Sequence, residues 1–178
     1  LVRIKKIYAN NTIDFAPPLY WRMDQGSPGA TLTIQGQTSV PNYVTLSGVE
    51  DLSIFSILSD SSVVLSSVDR FWVKNVELAH SRTYAIWSNR AFQSQFDQIY
   101  LHDSRGTGSG SGYGFVFEDG SSANLVQNCI SNGHVGSFIV NEGSSGNVFA
   151  YNFTGSKNNY YDSKWNQPDF QNHHSHCL

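Results

Sequence analysis

The sequence predicts an all-β solenoid, and three observations carry that expectation. Ser, Gly and Asn supply 25, 15 and 15 of the 178 residues, whereas the strong helix formers Ala and Lys supply only 8 and 5. Val, Ile, Phe, Tyr and Trp alternate with those small polar residues, as in strands closed by many turns. A pattern about two dozen residues long then recurs along the chain, and a fixed period of that length marks stacked repeats.

The repeat is clearest in residues 116–128 and 140–152, which run from Val to Asn in the same number of residues and start 24 apart. The same frame fits 86–98 and, more loosely, 63–75. Its last position falls on Asp51, Asn75, Gln98, Asn128 and Asn152, with spacings of 24, 23, 30 and 24, so one coil carries an insertion. Two residues before that position stand Val49, Val73, Phe96, Val126 and Ala150. One residue after it stand Leu52, Val76, Ile99, Cys129 and Phe153, and three after it Ile54, Leu78, Leu101 and Ser131. An unbroken strand keeps its apolar side chains on one parity. Here the parity flips across the polar position, which predicts a short bend between two strands with Asp, Asn or Gln at the corner. Asn and Asp suit such corners because they tolerate left-handed dihedrals.

Several short strands per coil, stacked coil on coil, bury their apolar sides against neighbouring repeats. On these residues the chain resembles the right-handed parallel β-helix of the pectate-lyase-like superfamily, over residues 44–178. The column Asp51, Asn75, Gln98, Asn128 and Asn152 matches the internal asparagine ladder of those folds. A leucine-rich horseshoe would need a Leu-x-x-Leu-x-Leu pattern that the sequence lacks. A β-sandwich would not repeat Gly-Ser-Ser-x-Asn at a coil period.

Residues 1–43 lie outside the repeat. Alternation over 2–8 and 12–15 around Asn10-Asn11 predicts a hairpin that caps or flanks the stack, and Pro17-Pro18 ends it. Gly26, Pro28 and Gly29 mark a loop, and 157–172 reads as a long excursion. The opening Leu1-Val2-Arg3-Ile4 lacks Met and a signal-peptide pattern. The closing residues read as the start of a strand. Together they predict a piece of a longer chain whose coils continue past the C-terminal end.

The charge balance, 11 basic against 14 acidic residues, lacks the basic surplus of a nucleic-acid binder. No apolar run reaches the roughly 18 residues of a membrane span, so no membrane insertion is expected. Two cysteines do not make a disulfide framework. An aromatic content of 13% is too high for a disordered chain.

Function in a solenoid concentrates on outward positions and long turns. The insertion is the glycine-rich stretch 102–112. Arg82 and Arg105 both fall seven residues after a corner position, and His80, His102 and His134 fall five, four and six after theirs. Arg binds carboxylates bidentately and His transfers protons near neutral pH, so this turn suits an acidic sugar. Trp87 and Phe117 stand at equivalent outward positions, where rings stack on sugars. Glu118, Asp119 and Glu142 end the same strands and offer carboxyl groups for acid–base work or for Ca²⁺. His173, His174 and His176 alternate faces on a strand, so at most two share a ligand direction and no metal site is expected there.

The resemblance implies an extracellular or cell-surface protein that cleaves or binds a polysaccharide. Lyases of this kind abstract a proton beside a uronic carboxylate with Lys, Arg or His, often with Ca²⁺, and beyond that ion no cofactor is implied. The related hydrolases carry Asn-Thr-Asp, Asp-Asp, Gly-His-Gly and Arg-Ile-Lys signatures. This chain has only Gly133-His134-Val135 near the third, and Arg3-Ile4-Lys5 at the wrong end. The expectation is therefore a lyase rather than a hydrolase on an acidic polysaccharide. His102, Arg105 and His134 are its catalytic candidates; Arg82, His80, Trp87, Phe117 and Asp119 are its substrate-binding candidates. The alternative is a non-catalytic module, an adhesin or tailspike-like shaft that binds polysaccharide, or a structural coil that self-associates end to end or laterally through open strand edges.

Overall fold

Parallel pairing at a spacing of one coil organises the chain into a β-solenoid. The structure is a computed structural model that describes residues 3–10, 12–16, 44–107, 110–155, 170–172 and 176–177. Strands β1 (Arg3–Ile7) and β2 (Ile13–Ala16) form the expected antiparallel hairpin. All other described pairing is parallel, and the described residues contain no helix.

One wall is a six-stranded sheet of β3 (Val44–Thr45), β5 (Ser61–Asp69), β7 (Tyr84–Phe92), β9 (Tyr113–Glu118), β12 (Gly136–Val140) and β15 (Phe170–Asn172). The second wall stacks β4 (Gly48–Phe55), β6 (Trp72–Ala79) and β8 (Gln95–His102), each bent near its middle. In later coils the bend divides the strand, giving β10 (Leu125–Gln127) with β11 (Ile130–Asn132), and β13 (Ser145–Ala150) with β14 (Phe153–Gly155). A final short strand, β16 (His176–Cys177), pairs with β13.

The bends follow left-handed residues in register. Asp51, Asn75, Gln98, Asn128 and Tyr151 have φ between 50° and 58°, at spacings of 24, 23, 30 and 23. The last member is Tyr151 and not Asn152, because Ile130 pairs with Phe153 and Gln127 with Ala150. The final coil is therefore one residue shorter than the sequence frame assumes, and the prevailing period is 23. Other corners repeat the same logic: Leu46, Arg70, Gln93 and Ala123 form one left-handed column, and Ser67, Arg90, Asp119 and Glu142 another.

The core lies between the walls. Val73, Phe96 and Val126 stack with Phe149 from the second wall, facing Ile86, Phe115 and Phe138 of the first. The Phe96 ring meets Phe115 and Phe117 edge-on at 6.1 and 5.3 Å, and Phe115 stacks on Phe138 at 5.3 Å. Such aromatic pairs add directional attraction to the burial of area.

The interior polar ladder is not the predicted column. Asp51 and Asn75 point outward, where Asn75 Nδ2 donates to Asp51 Oδ1 at 2.7 Å in an exposed bond. The buried ladder is Ser94, Asn124 and Asn147, at the corner between the walls. Ser94 N donates to Asn124 Oδ1 at 2.8 Å; Asn124 N and Nδ2 donate to Asn147 Oδ1 at 3.0 and 2.9 Å; Asn147 Nδ2 donates to Ser121 O at 2.9 Å. Each amide satisfies backbone groups that the bend takes out of the sheet. Asn152 bonds in the same way at the following corner, accepting from Cys129 N and donating to Val126 O. Of the expected excursion at 157–172, residues 170–172 are the paired strand β15, and the rest lies outside the described residues, as do His173 and His174.

Candidate functional site

The sequence-derived candidates separate into a structural turn, two buried side chains and two clusters on opposite walls. At the turn after β6 and β8, Arg105 acts as a staple. Its Nε donates to His80 O at 2.7 Å and its Nη2 to Ser56 O and Ser59 O at 3.2 and 3.0 Å, tying three coils together. Arg82 forms an exposed ion pair with Asp60 at 3.7 Å. Below it, Arg82 O accepts Gly112 N at 2.9 Å and closes the neck of the insertion. A Cβ at Gly106 would strike both Arg82 O and Gly112, so only glycine fits this neck. His80 is itself a corner residue, with φ 63°, and its ring lies 6.2 Å from that of Phe55.

His80, His102 and His134 share a turn but not a column. Ala79 pairs with His102, which sets His80 beside Asp103, and the pairing of Leu101 with Ser131 sets His134 two residues further along. His134 is 1% exposed, with Nδ1 3.2 Å from Ser131 Oγ inside the solenoid. That corrects its placement in a surface groove. Phe117 is likewise corrected: it is 0% exposed and pairs with Ser88, while Trp87 pairs with Val116. The two strands are offset by 29 residues and not 30, because one extra residue enters only after Glu118. Phe117 thereby takes the inward parity and joins the aromatic core.

The first cluster is on the outer face of the six-stranded wall. Tyr84, Trp87 and Tyr113 form a half-exposed aromatic group, with ring centroids 5.5 Å apart for Tyr84–Trp87 and 6.1 Å for the stacked Tyr84–Tyr113 pair. The Trp87 indole N–H donates to Glu118 Oε2 at 2.8 Å, and Asn141 Nδ2 donates to Glu118 Oε1 at 3.4 Å. Next to Glu118, at the corner, Glu142 stands one coil from Asp119, which pairs with Arg90 at 3.6 Å. The neighbouring Asp119 carboxyl first, then slight desolvation and the charges of Glu118 and Asp119, push the Glu142 carboxyl above its ordinary value. Burial, then the charges around it, raises the Tyr84 hydroxyl as well. The cluster thus combines a proton-holding carboxyl, a second carboxylate held by two N–H donors, and flat rings.

The second cluster is on the outer face of the bent wall. His102 Nε2 lies 3.0 Å from Glu77 Oε1 and His102 Nδ1 lies 2.8 Å from Asp103 Oδ2, while Ser53 Oγ donates to Glu77 Oε2 at 2.8 Å. These bonds hold the Glu77 carboxyl below its ordinary value, the Ser53 hydroxyl first and His102 second. The Tyr100 ring stacks on His102 at 4.4 Å and 19°. Beside it the bend leaves an open hollow of about 410 Å³ lined by Asp51, Ser53, Asn75, Glu77, Gln98 and Tyr100, among others.

Of the predicted residues, Trp87 and Asp119 meet in the first cluster and His102 lies in the second. Glu77, Tyr84, Tyr100 and Tyr113 were not singled out from sequence; alternation with the buried Val76, Leu78, Ile99 and Leu101 was the available signal for Glu77 and Tyr100, whereas Tyr84 and Tyr113 share the parity of the buried Ile86 and Phe115. Among the described residues no three or more His, Cys, Asp or Glu side chains converge as metal ligands. The carboxyl corner is thus not such a convergence, and the residues described there do not fit the Ca²⁺ that the resemblance allows. Protein-family models, curated proteins and solved structures return no match to this chain.

Proposed function

We propose that this protein is a carbohydrate-active β-solenoid of the pectate-lyase-like kind, met outside the cell or at its surface, that hydrolyses a polysaccharide at the Glu118–Asp119–Glu142 corner. The observation that carries the reading is the carboxyl pair Asp119–Glu142 beside a third carboxylate oriented by Trp87. Groups whose environments push their proton affinities apart divide into acid and base. Glu142 keeps its proton to higher pH because the Asp119 carboxyl stands beside it, and gives it to the glycosidic oxygen as the C–O bond breaks. Glu118 faces the developing positive charge and takes the proton of the water that adds to the anomeric carbon. Tyr84, Trp87 and Tyr113 hold sugar rings by their apolar faces.

Hydrolysis accords with the geometry better than elimination. Elimination needs a cation at the uronic carboxylate, yet Arg105 is given to three carbonyls, Arg82 to Asp60, and His134 is buried. Three carboxyls at one corner also favour a neutral chain over an acidic one. Binding without turnover is the second reading, since the aromatic trio would serve it alone.

The test is incubation with neutral and acidic polysaccharides, following new reducing ends and the ultraviolet absorbance of unsaturated ends. Reducing ends without absorbance are expected, with activity falling as pH rises through the raised Glu142 value. Glu142→Gln should abolish turnover and keep binding, and Asp119→Asn should move the alkaline limb to lower pH. Absorbance rising with reducing ends would replace hydrolysis by elimination. Binding with neither signal would leave the non-catalytic reading.

A further inference from the structure

The bent wall carries a track that the carboxyl corner does not use. Pairing sets Ser53, Glu77, Tyr100, Ile130 and Phe153 in one outward column, one residue per coil. At about 4.8 Å per rung the column is about 19 Å long. Its first two members floor the hollow, and its last three are 39%, 42% and 63% exposed. Alongside runs the left-handed corner column Asp51, Asn75, Gln98, Asn128 and Tyr151, the last 88% exposed. One edge of the track therefore presents carboxylate and amide groups at a regular rise, and the other presents flat apolar surface. Exposed apolar side chains lined up on a sheet face and rimmed by polar groups suit a binding site.

The geometry points to an extended neutral glycan as the occupant, laid along the stack with its hydroxyls on the corner column and its C–H faces on Tyr100, Ile130 and Phe153. The charges along the track select against other occupants. Among the described residues no Lys or Arg lines the hollow, so an acidic chain would meet Asp51 and Glu77 without a counter-charge. Both carboxylates accept protein hydrogen bonds, Asp51 from Asn75 and Glu77 from Ser53, and among the described residues no three or more His, Cys, Asp or Glu side chains converge to hold a metal ion. Neutral hydroxyls need neither charge. His102 is a positioning residue here: clamped between Glu77 and Asp103, it backs the Tyr100 ring and fixes its plane before any ligand arrives, which lowers the cost of ordering it.

This inference rests on the reading that the protein handles glycans, and the experiment separates the two. Neutral oligosaccharides of graded length (gluco-, xylo- and manno-series) are titrated calorimetrically into the whole chain and into Trp87→Ala, Tyr100→Ala, Tyr100→Phe, Ile130→Asp and Phe153→Ala variants, with circular dichroism confirming fold. At least one series should show two classes of site in the parent protein, of which Trp87→Ala loses the one at the carboxyl corner and keeps the one on the track. Affinity at the track should fall about tenfold or more in Tyr100→Ala and Ile130→Asp and stay unchanged in Tyr100→Phe. Affinity should also rise with length until the ligand spans Ser53 to Phe153, then level. Binding lost in Trp87→Ala and untouched in Tyr100→Ala would overturn the track and keep the carboxyl corner. No binding by any series would overturn both.

Discussion

Replacing Asn147 by Ala tests which asparagine column holds the solenoid together. Asn147 is fully buried; its Oδ1 accepts both Asn124 N and Asn124 Nδ2, and its Nδ2 donates to Ser121 O. Truncation orphans the Asn124 backbone N–H, whose desolvation penalty is about 1–3 kcal/mol. Asn124 Nδ2 keeps Ala91 O and Ser121 O keeps Ser145 N, so each loses one of two bonds, about 0.5–1 kcal/mol apiece. The total is about 2–5 kcal/mol. Asn75→Gly is the matched control, since Gly preserves the left-handed backbone and only the exposed bond to Asp51 is lost. That change should cost under about 1 kcal/mol. Urea unfolding followed by circular dichroism and tryptophan fluorescence gives both values, provided the two transitions coincide. Equal losses in the two variants, or an Asn147→Ala loss below about 1 kcal/mol, would refute the assignment of the interior ladder.

The staple, the bent wall and the buried thiol each give a further expected outcome. Arg105→Ala removes bonds to three carbonyls of earlier coils and should destabilise by about 1–2 kcal/mol in urea unfolding; Arg105→Lys should not rescue it, because one ammonium lacks the fork that reaches all three. The lowered Glu77 carboxyl contributes stability that is present above its unfolded value and is lost as pH falls through its folded value. The stability gap between the parent protein and Glu77→Gln should therefore narrow on acidification below the ordinary carboxylate range, as read from unfolding midpoints across pH. Cys129 is buried and its thiol is pushed up to about 12, chiefly by desolvation, so it should resist thiol reagents at about pH 8 until urea unfolds the chain.

The solenoid was legible because its signal is periodic. Bend positions from Asp51 to Asn128, the parity flip across them and the hairpin at Asn10-Asn11 all follow from residue type and spacing. Register was legible only to within one residue. Asn152 looks like a corner and Tyr151 does not, yet strand pairing puts Tyr151 in the left-handed position and frees Asn152 to bond inward. A slip of one residue exchanges the two faces of a strand. That slip turns Phe117 outward in the sequence frame and hides the true ladder, Asn124 and Asn147, although Gly-Ser-Ser-x-Asn marks it twice at a spacing of 23. Arg105 and His134 misled for another reason: type and turn are visible in sequence, but the carbonyls that occupy a guanidinium are not.

Register also explains why carboxyl groups gather at one corner. In a solenoid each residue's nearest neighbours are its counterparts one coil away, about 4.8 Å up and down the stack. The column through Asp119 reads Ser67, Arg90, Asp119, Glu142, so two carboxyls become neighbours with a cation on one side only. The like charge beside Glu142 disfavours its ionised form, and the rise in the Glu142 value is the consequence. One position earlier the column reads Asn89, Glu118, Asn141, so Glu118 meets amides instead and accepts an N–H from one of them. Neighbouring positions of the coil, given different partners by the repeat, thus acquire the different environments on which the proposed acid, Glu142, and base, Glu118, rest.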